Sequence, residues 1–507
     1  MSDGTQLSID ILCDIFLLLC DKPIALHDLN NESHFDEFPW AAGQVCKHWR
    51  SAFLSYPALW STLSFREPGT YLGPPRAGYI AEMNRRTTTY LKRSAQHPLT
   101  LDVWMPGLIV ENVYTTIWGM LLSYSDRWKR ADLAIKTESM INGLVGRREK
   151  MPILERLKVV VYNPQAQMCG TAFEIAPYLT ELKLFWGHIE GTIRWELETW
   201  TFPWSQLLKL SIGLTSLDFA NSNELEIFLL QLRNVEELRI TVLSHIIVHS
   251  DVLSACLPVR LPRLKQLEIS LSISWILSYF ETPSLQYLSV YHSFDAHDYE
   301  GKLESLVHRS SCRIRHLTLE ECEVHVAHDI MEELVSVEEL CIKETSDMVP
   351  RNSMPSLVQD IASGGIYLPN LRVLQLPCCP GHFKQVIPAA SRLFQTPVTH
   401  PLERLVITVK WDDCCCGFCD IYEESRVIDE ALEEICRLPS LSVISLNNGP
   451  WNRALTFRTV VASALVIDLT VYYRRGRIGY TYYSEESRRH YDILESKRKP
   501  VNSTTVE

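Results

Sequence analysis

A short leucine-rich pattern recurs through most of this chain of 507 residues and limits what it can fold into. The template L-x-x-L-x-L, with aliphatic substitutes, repeats at intervals of 21 to 39 residues. Its copies start at Leu154, Leu179, Leu207, Val235, Leu264, Leu285, Ile314, Val337, Leu371, Leu402 and Leu441. Aliphatic residues at alternate positions predict a short strand with one buried face. One such strand cannot bury that face alone, so the copies must stack on their neighbours.

The copies resemble leucine-rich repeats, in which stacked strands form a parallel sheet. The position where that family keeps a buried Asn or Cys is irregular here, with Tyr162 and Lys410 in two of the copies. We therefore predict an α/β repeat fold. Residues 98–450 would form an irregular leucine-rich-repeat-like solenoid, and residues 451–507 a C-terminal cap and polar tail. An unrelated α/β array with the same strand spacing remains an alternative.

The first 65 residues carry a different pattern, which predicts a small helical domain. Leu7, Ile11 and Ile15 recur every four residues on one apolar stripe of a first helix, and a second stripe lies beside it. Val45 and Trp49 repeat this spacing in a later helix. Two such helices can cover each other only once, so the second apolar face needs either the rest of the chain or a partner.

These N-terminal motifs resemble the F-box, as found in the large families of mushroom-forming fungi. The opening reads Leu7-Ser8-Ile9-Asp10-Ile11-Leu12, with Ser8 and Asp10 where the family usually has proline and glutamate. The later motifs are Val45-Cys46-Lys47-x-Trp49-Arg50 and Pro57-x-Leu59-Trp60. An acidic insert at residues 21–39 separates the two parts. Residues 66–97 would form a linker and a connecting helix that leads into the repeats.

The resemblance implies the substrate-receptor subunit of a cullin-RING ubiquitin ligase of the SCF type. Its F-box would bind a Skp-family adaptor, and through it a cullin, by helix packing. The adaptor-binding residues it implies are Leu7, Ile11, Ile15, Phe16, Val45, Cys46 and Trp49. Such a protein catalyses nothing and acts by bringing a target close to the charged ubiquitin-carrying enzyme. The rival hypothesis is a repeat-based interaction scaffold whose N-terminal helices merely cap the solenoid.

The solenoid would hold an unknown protein target on the outward face of its strands. Aromatic and charged side chains are frequent anchors of protein interfaces. The candidate target-binding residues at outward positions are Phe185, Trp186, Arg239, Tyr287, Tyr291, His316 and Glu320.

Composition argues against several other classes of function. A net charge of −12 disfavours general nucleic-acid binding, which needs a basic surface. No signal peptide or membrane-spanning stretch is evident, so we expect an intracellular protein, cytoplasmic or nuclear, without a membrane partner. The 15 cysteines are then expected to be reduced.

No catalytic or nucleotide-binding motif stands out, so we predict neither an enzyme nor a cofactor. The cysteine cluster Cys414-Cys415-Cys416-Gly417-Phe418-Cys419 contains a pair with zinc-ligand spacing but lacks a matched second half. We interpret it as a loop with reduced thiols rather than a metal site.

Overall fold

The structure is a computed structural model in which part of the chain is described. The described residues are 7–19, 24–25, 41–66, 77–104, 111–135, 137–147, 150–162, 171–186, 201–214, 222–242, 258–291, 301–320, 324–343, 359–361, 363, 368–378, 403–410, 441–448, 452–461 and 465–474.

Nine α-helices lie in these ranges, most of them in the first two thirds of the chain. They are α1 (Ile9–Leu19), α2 (Ala42–Val45), α3 (Lys47–Ser55), α4 (Ala77–Arg93), α5 (Glu111–Ser123), α6 (Glu138–Val145), α7 (Ser222–Gln231), α8 (Lys302–Ser310) and α9 (Val324–Glu333). No helix in the described ranges combines the length and the apolar character needed to cross a bilayer.

Nineteen strands alternate with the helices and turns of the described residues. They are β1 (Ile24–Ala25), β2 (Thr62–Arg66), β3 (Leu99–Trp104), β4 (Trp128–Ile135), β5 (Arg156–Val161), β6 (Glu181–Trp186), β7 (Lys209–Leu214), β8 (Glu237–Val242), β9 (Val259–Arg260), β10 (Gln266–Ser270), β11 (Phe280–Glu281), β12 (Tyr287–Tyr291), β13 (His316–Glu320), β14 (Glu339–Lys343), β15 (Val373–Cys378), β16 (Arg404–Lys410), β17 (Leu441–Asn448), β18 (Asn452–Val461) and β19 (Leu465–Arg474).

The chain divides into two compact units, the first made of residues 1–285 and 293–312. In this first unit, strands β1 to β8 pair in chain order, all parallel, and β10 continues the ladder beside β8. Strands β9 and β11 form a small parallel pair of their own. Between β1 and β8, helices and 3₁₀ turns connect successive strands, which is the kind of crossover that a parallel pair requires.

The second unit consists of residues 286–292 and 313–507. Strands β12 to β16 pair in parallel, again in chain order, and β19 is the next parallel neighbour of β16. Strands β17, β18 and β19 form an antiparallel meander. The copy predicted at Leu441 therefore forms a strand but does not extend the parallel ladder. The sequence pattern correctly predicts a strand here, but the antiparallel pairing with β18 determines its position in the sheet.

The repeated aliphatic positions are buried in the nine copies from Leu154 to Leu371, as the pattern predicts. In the copy that starts at Leu154, the side chains of Leu154, Leu157 and Val159 are all 0% exposed. The corresponding residues of β5 and β6 are also register partners, so Leu157 lies opposite Leu182. Full burial of each such side chain stabilises the fold by about 1.5–3 kcal/mol relative to exposure. The α/β class and the parallel sheet are thus confirmed.

One further copy precedes those found in the sequence. Trp60, Leu63 and Phe65 occupy the three template positions, and all three are buried. Leu63 and Phe65 lie on β2, opposite Leu101 and Val103 of β3. The first copy of the repeat therefore follows α3 directly and lies within the predicted F-box domain.

The segment that joins α3 to β2 has a close counterpart inside the repeats. In both places a helix is followed by a 3₁₀ turn and then by a strand that begins at or near a tryptophan. Trp60 Nε1–H donates to the Phe53 carbonyl at 3.1 Å, and Trp128 Nε1–H donates to the Leu121 carbonyl at 3.2 Å. Each acceptor lies seven residues before its tryptophan. Helix α3 is thus connected to β2 in the same way as α5 is connected to β4.

Candidate docking surfaces

Exposed apolar side chains are concentrated in the N-terminal helices. Eight of the fourteen large apolar residues that are exposed in the described ranges lie between residues 7 and 54. They are Leu7, Ile9, Ile11, Leu17, Leu18, Leu19, Val45 and Leu54. Single exposed apolar residues are ordinary, but a cluster of them is typical of an interaction surface.

Helix α1 has one buried and one exposed apolar face. Leu12 and Phe16 are 0% exposed, and the Phe16 ring meets the Trp49 ring edge-on with centroids 5.4 Å apart. This contact packs α1 against α3. On the other side Leu18 is 85% exposed and Ile11 is 49% exposed. Helices α1 and α3 therefore bury one apolar face of α1 between them, and the other apolar face of α1 stays exposed.

Local hydrogen bonds fix the ends of these helices. Ser8 Oγ accepts from the Ile11 backbone N–H at 3.4 Å, so Ser8 is the N-cap of α1. His48 Nε2 lies 2.9 Å from the Leu7 carbonyl, and this contact holds the start of α1 against α3. Cys46 Sγ accepts from the Trp49 backbone N–H at 3.4 Å at the start of α3. The exposed face is thus carried on a scaffold with defined termini.

The predicted adaptor-binding residues differ widely in their exposure to solvent. Leu7, Ile11, Val45 and Cys46 are exposed, Ile15 and Trp49 are half-buried, and Phe16 is fully buried. In this conformation Phe16 cannot contact a partner, because it supports α1 from within. Leu18, which the prediction omitted, is the most exposed apolar residue of α1. Its seven-residue spacing from Ile11 could have identified it.

Trp60 connects these helices to the repeats. Its ring packs on Phe53 of α3 with centroids 4.9 Å apart and stacks on Tyr90 of α4 at 5.1 Å. The Arg93 guanidinium lies 4.4 Å from the centroid of the same ring. Nearer the start of α4, Thr88 Oγ1 lies 3.4 Å from Met120 Sδ of α5. The connecting helix therefore packs on both sides of the junction.

The outward face of the first unit carries aligned rows of side chains. One row consists of the residues between the two buried aliphatic positions of each strand. In register order it reads Ser64, Asp102, Asp132, Lys158, Lys183, Ser211, Arg239 and Glu268. Arg239 Nε lies 2.9 Å from Glu268 Oε1, so this predicted residue is paired with an acid on the neighbouring strand.

Phe185 lies in the next outward row, where it is half-buried. Its register partner is Gly213, and a Cβ atom at Gly213 would lie 2.5 Å from Phe185 Cδ1. The missing side chain therefore makes room for the ring. Lys158 Nζ lies 5.7 Å from the centroid of the same ring. The Trp186 side chain lies outside the described part of the structure.

The second unit presents a stacked pair of rings. Tyr287 and His316 are register partners whose rings lie nearly parallel, 4.0 Å apart. His316 Nδ1 lies 2.9 Å from Glu339 Oε2 on the next strand. The predicted Tyr291 and Glu320 are half-buried. Glu320 is also 3.8 Å from Lys343 Nζ, so it takes part in the ion pairs between strands.

The described residues contain no group of three or more His, Cys, Asp or Glu side chains placed to hold a metal ion. The cysteine cluster at residues 414–419 lies outside the described ranges. The role predicted for it therefore stays a prediction.

Comparison with known proteins adds no assignment. No protein-family model matches the chain, and no curated protein matches it significantly.

Proposed function

We propose that this protein is the substrate-receptor subunit of an SCF-type cullin-RING ubiquitin ligase. In this proposal the N-terminal helices bind a Skp-family adaptor inside the cell, and a leucine-rich-repeat-like solenoid binds a protein target. The observation that supports it best is the exposure of apolar side chains in and beside α1 and α2, where Leu7, Ile11 and Val45 are 45%, 49% and 60% exposed. A helix-packing partner would remove this area from water, which is the main driving force of such contacts.

The packing around Trp60 supports the second half of this mechanism. A receptor accelerates transfer only if it holds the target near the reactive group, since proximity is its whole contribution. The rings of Phe53 and Tyr90 contact Trp60 from two helices. This arrangement would keep the first strands of the repeat at a fixed position relative to the adaptor-binding face.

Co-purification with a fungal Skp-type adaptor tests the proposal. The variant Leu7→Ala, Ile11→Ala, Val45→Ala removes three exposed apolar side chains and should weaken adaptor binding by tenfold or more. A matched control, Tyr178→Ala, Ile227→Ala, Leu230→Ala, removes three exposed apolar side chains elsewhere in the first unit and should bind normally. Failure of well-folded wild-type protein to bind the adaptor would overturn the proposal.

The rival scaffold function is favoured by a different observation. Helix α3 and β2 repeat the helix–turn–strand arrangement of α5 and β4, including the tryptophan hydrogen bond. In a scaffold, α1 to α3 would simply terminate the sheet. That hypothesis predicts that the wild type and both triple variants behave alike in the adaptor experiment.

A further inference from the structure

A basic patch lies on the outward face of the first unit, although the whole chain is acidic. We use this name for Arg130, Arg156, Lys158 and Lys183, which lie on β4, β5 and β6. The register places Arg130 beside Arg156 and Lys158 beside Lys183. The same three strands carry two acidic residues at outward positions, Asp132 and Glu181. The patch thus has a surplus of two positive charges in a chain of net charge −12.

The two acids of these strands do not balance the four basic side chains of the patch. Glu181 Oε1 lies 3.1 Å from Lys183 Nζ and 3.5 Å from Arg156 Nε, so its charge is already shared between two cations. Burial raises the pKa of Asp132 above its usual value, whereas the nearby cations of Arg156 and Lys158 act to lower it. One shared carboxylate cannot neutralise both Arg156 and Lys183, so these three strands keep an excess of positive charge.

An apolar contact site adjoins the basic patch. The Phe185 ring lies beside Gly213, where the lack of a Cβ atom leaves the ring room on the sheet. The Lys158 ammonium is within 5.7 Å of the ring centroid. Arg and aromatic residues are enriched among the anchors of protein interfaces, and Lys and Arg form strong charge-assisted hydrogen bonds with carboxylates. The basic patch and the Phe185 ring are thus close enough for one ligand to contact both.

We propose that the basic patch and Phe185 bind an extended acidic protein segment that contains one aliphatic or aromatic residue. Neighbouring strands lie about 4.8 Å apart, so three strands present their cations over about 10 Å, the length of three or four extended residues. Acidic side chains would pair with Lys158 and Lys183, and the apolar residue would pack on Phe185. This inference deepens the proposed function, since it names the chemistry by which a target is held.

Fluorescence anisotropy with the full chain tests the inference without an adaptor. The probe is a labelled nonapeptide of Asp and Glu residues with a central Leu. Three comparison probes are its charge-inverted Lys and Arg version, a version with phosphoserine in place of two acids, and a short single-stranded RNA. We expect the two acidic peptides to bind and the basic one not to bind. Their relative affinity distinguishes carboxylate from phosphate as the preferred anion.

Two variants connect the binding to the patch. Lys158→Ala with Lys183→Ala should weaken binding of the acidic peptide about tenfold, since two charge-assisted contacts are lost. Phe185→Ala should weaken the Leu-containing peptide more than a peptide with Gly in its centre. The matched control, Lys92→Ala with Lys150→Ala, removes two exposed lysines outside this sheet face and should leave the affinity unchanged.

Several outcomes would overturn the inference. Absence of peptide binding, an equal loss in the control variant, or a preference for RNA over both acidic peptides would each do so. These results are separate from the test of the ligase role. Adaptor binding without peptide binding contradicts only the inference, whereas peptide binding without adaptor binding contradicts only the ligase role.

Discussion

Two arginines, Arg127 and Arg309, show how single side chains close the ends of helical segments in the first unit. Arg127 Nη2 donates to the carbonyls of Ser94 and His97 at 3.1 and 2.7 Å, just beyond the end of α4. Arg309 Nη2 donates to the Leu277 carbonyl at 2.7 Å, and its Nε to the Phe280 carbonyl at 3.0 Å. Each guanidinium satisfies carbonyls that a helix end leaves without partners. These contacts tie one repeat to the next.

The Arg127 contacts predict a large loss of stability. Arg127 is 5% exposed, and it also donates to Ser94 Oγ at 2.8 Å. Arg127→Met should lower the free energy of unfolding by about 3 kcal/mol, because buried carbonyls then lose charged donors. Urea denaturation measures this difference. Arg309→Met should cost less, since Arg309 is more exposed. Equal losses for the two variants would contradict the role of burial.

Glu82 predicts a pH-dependent contribution from the surface of α4. Hydrogen bonds from Arg85 and Arg86 lower the pKa of Glu82 from 4.5 to about 2. A lowered pKa in the folded state means that the stabilisation is present above pH 4.5 and is lost as the pH falls towards 2. Glu82→Gln should therefore lower stability at pH 7 by about 0.5 kcal/mol, a typical value for exposed pairs.

Thermal melts of the Glu82→Gln variant and the wild type at several pH values measure this effect. The two melting temperatures should converge between pH 4.5 and pH 2. A constant difference across that range would show that the carboxylate charge is not the cause.

At the scale of elements, the unit that recurs is a helix, a turn and a strand with buried residues in register. The sequence predicted the strands well, because each copy has its leucines at the same spacing. In the structure these leucines lie opposite one another on neighbouring strands. It missed the copy on β2, since Trp60 replaces the first leucine and overlaps the N-terminal motif. The antiparallel direction of β17 was not predictable either, because local periodicity does not encode the strand partner. The arginine contacts join residues about thirty positions apart, beyond any local pattern.

Trp60 predicts that the junction of α3, α4 and β2 depends on one side chain. Trp60→Ala should cost about 3–5 kcal/mol through the cavity it leaves. Hydrogen exchange should accelerate in α3, α4 and β2 but not in α9, which belongs to the other compact unit. Trp60→Phe keeps most of the ring and loses only the hydrogen bond to Phe53, so it should cost about 1 kcal/mol. Uniform acceleration across both units would refute a local role.

For the molecule as a whole, two surfaces of different physical character stand out. One is the apolar face around Leu7, Ile11 and Val45, and the other is the basic patch on β4 to β6. The sequence predicted the first by periodicity and missed the second. Positive charges that are far apart in the chain become neighbours only through strand register, as Lys158 and Lys183 do. The sequence also did not predict which residues of the apolar face are exposed. The structure shows that Phe16 is buried whereas Ile11 and Leu18 are exposed.

These two surfaces should respond differently to salt. Raising NaCl from 0.1 to 1 M shortens the screening length from about 10 to about 3 Å. Binding of the acidic peptide should fall by tenfold or more, whereas adaptor binding through apolar contacts should hold or strengthen. Titrations of both ligands over this range measure the two slopes. Equal salt dependence would contradict the division of roles.

The constant strand register has a consequence for how such a chain changes over generations. Copies whose strands pair in parallel begin 23 to 34 residues apart, yet their buried residues still align across the strands. Segments between strands can therefore be lengthened, shortened or duplicated without disturbing the pairing. The outward side chains of each strand can likewise change without altering the buried ones, so a new binding preference needs no change in the core.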